Sequence, residues 1–482
     1  MNSTRCPLCG IVLAAVLFIF CLSCCSSMTD DGGSSDTGIN RNTSPDSWTL
    51  MFYLGGDNTL DSKLVANVAQ LMEGYCGGMN AVLLVDRCRS AASAEPFGEA
   101  FETTRMYRVT SDGLVRIYGG TEFPELSEDK GDCELDTADA AVLRNFIRCC
   151  KAEYPAGHYG LIIGSHGGGV RTGNQNVRAV VQDAESDNDW LFTAELTDVL
   201  SAEESVDVLA FDACCMGSLE VAYQLCGVKG FKADYIVVSP AEEWSDGWDY
   251  ARLASAFGTK LPEPRAFAEG LVANYREYIA ESSQSSLQTL TCLQGSAVPA
   301  VKEALDGLSR LLVDFRSETE ALRGSGRLQQ EDVLHYFNSV YTSAWLQYAY
   351  FDIYSLAERM AASAAFPQAV RTAASELARA VDAAVLCSYA GSAYTLAREG
   401  ASGLAVFFPN GRARCGYAGR TYWDYQYWYN ALPVAERGFD ACYGSLAFCA
   451  DGAAEGNGVV ENWFELLDYW FDDGRNVNGY IP

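Results

Sequence analysis

Two apolar runs that end abruptly on reactive side chains constrain this 482-residue chain more than any other feature. Leu161-Ile162-Ile163-Gly164-Ser165 leads into His166-Gly167-Gly168-Gly169, and Val208-Leu209-Ala210-Phe211 leads into Asp212-Ala213-Cys214-Cys215-Met216. Each run has the length and unbroken hydrophobicity of a strand buried on both faces. Trp48 to Leu54, Ala81 to Asp86 and Tyr235 to Ser239 read the same way. Helical patterns lie between them at Thr59 to Glu73, Asp136 to Lys151, Thr193 to Ser201 with Thr193 as its cap, and from Ser218 onward. Met106 to Thr110 with Arg116 to Tyr118 reads as a hairpin, and Val177 to Gln182 as a further strand. Such alternation implies an α/β fold, a mostly parallel central sheet flanked by helices. Ligands gather at the carboxyl ends of parallel strands, so His166 and Cys214 are expected to face one crevice.

A free thiol is largely protonated at neutral pH and needs a partner to become a nucleophile. The chain has three histidines. His335 falls in a helical pattern and His158 before a strand, which leaves His166 as the base and as the acid for a leaving amine. The glycines after it let the backbone turn sharply, and the Gly167 amide is placed to hold an oxyanion. A bystander histidine in a glycine-rich turn accounts for that motif taken alone. Cys214 and Cys215 are adjacent in extended chain, so only one of them faces His166. Asp212 shares a side of the strand with Cys214, where a carboxylate would line a pocket for a basic side chain or cap the next turn.

The first 24 residues read as a processing signal: Arg5, an apolar segment from Ile11 to Leu22, then Leu22-Ser23-Cys24-Cys25. The segment resembles a bacterial lipoprotein signal with Cys24 as the lipidated residue and Cys25 as the alternative. That implies a chain tethered to the cell envelope through a lipid, or secreted. Residues 25–46, rich in Ser, Asp, Gly and Thr, are expected to be a flexible linker. Residues 47–261 are expected to form the catalytic core and 262–482 a mainly helical region, with helices at Pro264 to Ser282, Val298 to Phe315, Gln330 to Met360 with breaks, and Phe366 to Cys387. Strand-like runs near 287–293 and 403–408 are candidates to rejoin the sheet. A formal charge of −29 excludes a nucleic-acid partner, because phosphate binding needs a basic surface. Thirteen cysteines follow Cys25 with no C-x-x-C among them, which argues against a zinc site.

Read together, the motifs resemble the clostripain family of cysteine peptidases. Trp48 through Asp61 is similar to its opening strand and turn, Tyr154-Pro155-Ala156 and Tyr159 through Gly169 to its histidine block, and Asp212-Ala213-Cys214 with Met216 and Glu220 to its nucleophile block. Gly247-Trp248, Phe351-Asp352-Ile353-Tyr354 and Gly403 through Pro409 look like its later landmarks. The resemblance implies a caspase-like sandwich, a His166–Cys214 dyad with backbone amides of Gly167 and Cys214 as the oxyanion donors, and cleavage of peptides after Arg or Lys by a monomer. It implies Asp212 as one pocket acid and a second after the next strand, where Glu242 is chosen over Glu243, Asp246 and Asp249. It also implies self-cleavage in the loop between the two strands, where Arg171 and Arg178 stand; Arg178-Ala179 is the preferred bond, and an uncut loop with solvated arginines is the plainer alternative. No cofactor is required; calcium is used by some members, and Asp183, Asp187 and Asp189 offer hard oxygen ligands. That acidic run lacks the glycine and final glutamate of an EF-hand, so a solvated loop is its plainer reading.

Two rival functions are weighed against this. A serine esterase would need G-x-S-x-G, which the chain lacks. A tethered binding protein on an inactive fold would use the aromatics of Tyr422 to Tyr429 to stack on glycans or peptides, but the presence of both His166 and Cys214 argues for an enzyme.

Overall fold

Trp48-Thr49-Leu50-Met51-Phe52-Tyr53-Leu54 carries one polar side chain. In the computed structural model every residue of the strand it forms, β1 (Trp48–Gly56), is buried. Thr49 is satisfied by donating its hydroxyl to the Tyr154 carbonyl at 2.6 Å. The structure describes residues 44–89, 93–170, 180–256, 258, 260–323, 333–336, 349–408, 443–453 and 457–471. The remaining strands are β2 (Asn80–Arg87), β3 (Thr104–Thr110), β4 (Gly113–Ile117), β5 (His158–Gly164), β6 (Val181–Asp183), β7 (Asp189–Leu191), β8 (Val206–Asp212), β9 (Ala233–Val238), β10 (Thr289–Gln294), β11 (Tyr350–Asp352), β12 (Val385–Ala390) and β13 (Ala405–Phe407). The helices are α1 (Asp61–Gly74), α2 (Ala140–Glu153), α3 (Thr193–Val199), α4 (Leu219–Gln224), α5 (Tyr250–Ser255), α6 (Pro264–Ile279), α7 (Val298–Leu312), α8 (Arg316–Arg323), α9 (Ile353–Ala362) and α10 (Gln368–Ala384), followed by Ala447–Ala450 and Trp463–Phe471.

One nine-stranded sheet runs in the order β12-β10-β9-β8-β5-β1-β2-β3-β4. Its middle, from β9 to β2, is parallel, and antiparallel strands extend both edges. This is an α/β sandwich. Alternation along β1 sends Leu50, Phe52 and Leu54 into a core shared with Leu64, Val68 and Leu71 of α1, Leu253 of α5, and Phe267 and Leu271 of α6. Tyr53 points the other way and meets Phe146 of α2 with ring centroids 5.9 Å apart. Both faces are therefore covered, which is why the central strands read as unbroken apolar runs. Truncating a side chain such as Phe52 would cost about 3–5 kcal/mol through lost burial and the cavity left behind.

Several elements differ from the sequence reading. Thr193 is the first helical residue of α3 rather than its cap; Phe192 holds the cap position, and its amide donates to the Glu195 carboxylate at 2.8 Å. The helix read as Phe366 to Cys387 stops at Ala384, and the chain passes directly into β12, an edge strand. The run near 287–293 does rejoin the sheet, as read: it is β10, between β9 and β12. The run near 403–408 does not join the large sheet: β13 pairs with β11 in a separate two-stranded sheet. Part of the region read as helical at Gln330 to Met360 is β11, whose central residue Phe351 bridges His335. Among the described residues no helix is long and apolar enough to cross a membrane.

Candidate active site

The two strand-end motifs meet because β5 and β8 are parallel neighbours whose last residues, Gly164 and Asp212, lie opposite each other. His166 and Cys214 each stand two residues beyond that shared end. Their loops pack backbone to backbone. A methyl group on Gly167 would lie 2.2 Å from the Cys214 carbonyl oxygen and 2.6 Å from its amide nitrogen, so only glycine permits the approach. His166 and Cys214 line one cavity of about 340 Å³, with Asp212 and Glu243 as its acids.

Each functional side chain is held by identifiable partners. The His166 Nε2 lies 2.9 Å from the Thr59 hydroxyl, with the direction of donation set by the tautomer. Thr59 is itself fixed by the β1–α1 turn, where the Asn58 amide donates to the carbonyls of Gly55 and Gln182, each at 2.9 Å. The Cys214 sulfur accepts the Glu243 amide at 3.4 Å. The Cys214 thiol also donates to the Glu243 carbonyl at 3.8 Å. Cys215 adopts a left-handed backbone, φ 61°, and its amide donates to the Ala241 carbonyl at 2.9 Å. Such a conformation costs a non-glycine residue about 1–3 kcal/mol. It reverses the chain after Cys214, leaving Cys214 in the cavity and Cys215 buried behind it.

Asp212 is buried and accepts the Tyr250 hydroxyl at 3.1 Å and the Trp248 amide at 3.4 Å. Burial pushes its carboxyl up to about 6, and these donors restrain the rise. Glu243 accepts the Trp248 indole at 3.1 Å. Burial raises its carboxyl well above the ordinary range, and the neighbouring Asp212 charge raises it further. The two carboxyls interact directly, so they titrate as a coupled pair rather than independently. Gly247, at φ 70°, passes so close that a Cβ there would lie 2.8 Å from the Asp212 carboxylate.

With this geometry in place, comparison with known proteins is direct. A model of the Clostripain family matches residues 52–470. Clostripain of Hathewaya histolytica is 33% identical over 470 residues, covering 90% of this chain and 88% of its own. The chain belongs to the clostripain family of cysteine peptidases. A secreted C11 cysteine protease from Bacteroides thetaiotaomicron, solved with an irreversible peptide inhibitor, shares the fold with a TM-score of 0.52 at 18% identity, over 76% of this chain and 93% of that one. An inactive zymogen C11 protease from Parabacteroides distasonis gives 0.52 at 19% identity, over 76% and 92%.

Within this clostripain-family fold the predicted residues separate clearly. Glu242 does not line the cavity; Glu243 does. Glu243 is held on the cavity side by its amide, which donates to the Cys214 sulfur, and by its carboxylate, which accepts the Trp248 indole. Asp246 pairs with Lys63, and Asp249 caps α5 by accepting the Arg252 amide at 2.8 Å. His158 pairs with Asp207 at 3.1 Å, at the opposite end of β5. His335 is buried, and that burial pulls its imidazole down to about 4. Asp187 and Asp189 are exposed around a hairpin between β6 and β7, where Asp187 and Asn188 take φ of 55° and 60°. Asp183 alone of that run is buried, beside Asp57 and Glu134 rather than beside the other two. Arg178, Ala179, Cys24 and the aromatics at 422–429 lie outside the described residues. Sequence reasoning gave no site role to Thr59 or Tyr250 and named Trp248 only within a family landmark; Thr59 follows the Gly55-Gly56-Asp57-Asn58 turn at the carboxyl end of β1.

Proposed function

We propose that this peptidase cleaves peptides on the carboxyl side of arginine or lysine. The observation that carries the reading is the Asp212–Glu243 acid pair in the cavity that holds His166 and Cys214. A guanidinium or ammonium entering that cavity meets two buried carboxyl groups and favours their ionised forms. The Cys214 thiolate attacks the scissile carbonyl, and the backbone amides of Gly167 and Cys214 stabilise the oxyanion. His166 then protonates the leaving amine, giving an acyl-enzyme, and afterwards activates the water that releases the acid. Thr59 positions the imidazole throughout.

The same specificity supports self-cleavage at Arg178-Ala179, in the segment between Val170 and Val180. It fits a chain anchored in the cell envelope by lipid on Cys24, or secreted, and acting as a monomer. The test is mass spectrometry of wild-type and Cys214→Ala protein, each incubated alone and with a peptide library. Wild type should cleave after Arg and Lys and convert to two chains at residue 178, while Cys214→Ala does neither. Cleavage after neutral residues would refute the pocket assignment, and full activity in Cys214→Ala would refute the dyad.

A further inference from the structure

Two cysteines outside the catalytic cavity face each other across the sheet. Cys292 lies in β10 and Cys387 in the edge strand β12, and the antiparallel register sets them directly opposite one another. Opposed residues of an antiparallel pair stand on one face of the sheet with Cβ atoms about 4.5–5.5 Å apart, and a disulfide spans about 3.5–4.5 Å. A small closing movement therefore suffices to join them. Both are thiols here, Cys292 buried and Cys387 partly exposed. The two already touch through a hydrogen bond from the Cys292 thiol to the Cys387 sulfur. That bond holds the Cys387 thiol below its ordinary value against the cost of its burial, and the Arg276 charge acts in the same direction. The same bond, with burial, pushes the Cys292 thiol well up. Among the described cysteines these two alone lie within the strands β1 to β13.

We propose that Cys292 and Cys387 are a redox pair that closes to a cross-strand disulfide, stapling the C-terminal helices to the central sheet. The chemistry is thiol–disulfide exchange with an external disulfide, the class of oxidant that exported proteins meet. The Cys387 thiolate attacks one sulfur of that disulfide and expels the other as a thiolate. Cys292 then gives its proton to solvent and attacks the Cys387 sulfur, forming the new S–S bond and expelling the second thiolate. Counted from two thiols, the protein loses two protons and two electrons, and the external disulfide leaves as two thiols. The order follows from access, because Cys387 is the sulfur a partner can reach and Cys292 is buried. The bond closes a loop of about 95 residues that holds α7, α8, β11, α9 and α10. It sits where the ladder is interrupted: immediately beyond this pair the register slips, setting Leu293 opposite Val385. β10 also supports the catalytic cavity, since Gln288, one residue before it, accepts the amide of the cavity residue Trp244 at 2.9 Å. The pairing is independent of the peptide specificity proposed above and shares with it only the location in the envelope or outside the cell.

The experiment uses full-length Cys214→Ala protein, which removes the catalytic thiol and self-cleavage from the readout. The protein is equilibrated in glutathione redox buffers, alkylated under denaturing conditions, digested and mapped by mass spectrometry. The peptides bearing Cys292 and Cys387 should be linked in most molecules even with reduced glutathione in about tenfold excess over oxidised. Closing the pair should raise the unfolding midpoint by roughly 3 °C or more relative to phosphine-reduced protein. Cys387→Ala in the same background replaces a partly exposed side chain, so it should fold, and it should show neither the linked peptide nor the rise. Both cysteines alkylated after equilibration in oxidised glutathione alone would overturn the proposal. So would a glutathione adduct left on Cys387 without closure, linkage of either cysteine to a different one, or a midpoint rise that persists in Cys387→Ala. Linkage with no rise would overturn the staple. The peptide map decides the matter on the unaltered pair, and none of these readouts depends on the protein being an active peptidase.

Discussion

Asp212→Asn is the substitution that tests the acid pocket most sharply. Asparagine has nearly the same shape, and its carbonyl oxygen can still accept the Tyr250 hydroxyl and the Trp248 amide that now bond Asp212 at 3.1 and 3.4 Å. The fold should therefore persist while a charge disappears. Two unit charges about 4 Å apart attract by about 4 kcal/mol at an effective dielectric near 20. Not all of that is lost, because Glu243 is held protonated in part by the charge on Asp212. Burial is the larger cause of the raised Glu243 carboxyl, so removing that charge lets Glu243 ionise and compensate only in part. The net loss should be about 2–3 kcal/mol, or roughly 30- to 150-fold in kcat/KM for an arginine substrate. The assay compares peptide amides carrying arginine and citrulline at the cleaved position, in mildly alkaline buffer. Citrulline keeps the shape of arginine without its charge, so its kcat/KM should change by no more than about threefold. Adding Glu243→Gln should deepen the arginine defect by more than either single change predicts, because the two carboxyls share one task. An arginine defect matched by an equal citrulline defect would show that Asp212 acts through structure alone. No arginine defect would remove it from the pocket.

The remaining expectations are narrower. The preference for arginine over citrulline should fall as pH drops through about 6, since protonating Asp212 there leaves the pair without charge, and a flat ratio between pH 5 and 8 would contradict this. Thr59→Val removes the hydroxyl 2.9 Å from His166 Nε2 and should lower kcat about tenfold with little change in KM, restored by Thr59→Ser; an equal loss in the serine variant would mean packing, not the hydrogen bond, is at work. Gly167→Ala drives a methyl group into the Ala213–Cys214 backbone and should abolish turnover while circular dichroism stays native; retained activity would mean the two loops can separate without consequence.

The parts of this molecule that were legible in the sequence are those decided by local physics. The strands β1, β5 and β8 are covered on both faces, so their apolar runs are unbroken and stand out. The placement of His166 and Cys214 in one cavity follows from parallel neighbours ending together, a consequence of register that the two motifs announce by their like form. What stayed hidden depends on phase or on distant partners. Four acids follow β9, and nothing local says which side of an extended segment each one takes. The choice of Glu243 over Glu242 is made when Cys215 turns left-handed and ties its amide to Ala241. β12 was absorbed into a helix because the apolar spacing of α10 continues smoothly through Val385, and only its pairing with β10 ends it.

The acidic residues make the same point from the opposite direction. Asp183, Asp187 and Asp189 are close in sequence, yet a hairpin turn sends two of them to solvent and one to the interior. Its companions there, Asp57 and Glu134, come from segments far away along the chain. Proximity in sequence grouped charges that need nothing from each other, while the fold grouped charges that cannot remain unpaired. The second grouping carries the chemistry, because an orphaned buried oxygen must be answered by a proton or a cation. In this peptidase that demand arises twice, on either side of one short turn. At Asp212 and Glu243 the proposed answer is the basic side chain of a substrate; at Asp57, Glu134 and Asp183 burial and mutual repulsion push the Asp57 carboxyl up to about 7 and that of Glu134 to about 9, so protons answer it. Thr59 lies between the two, two residues from Asp57 and 2.9 Å from the His166 imidazole.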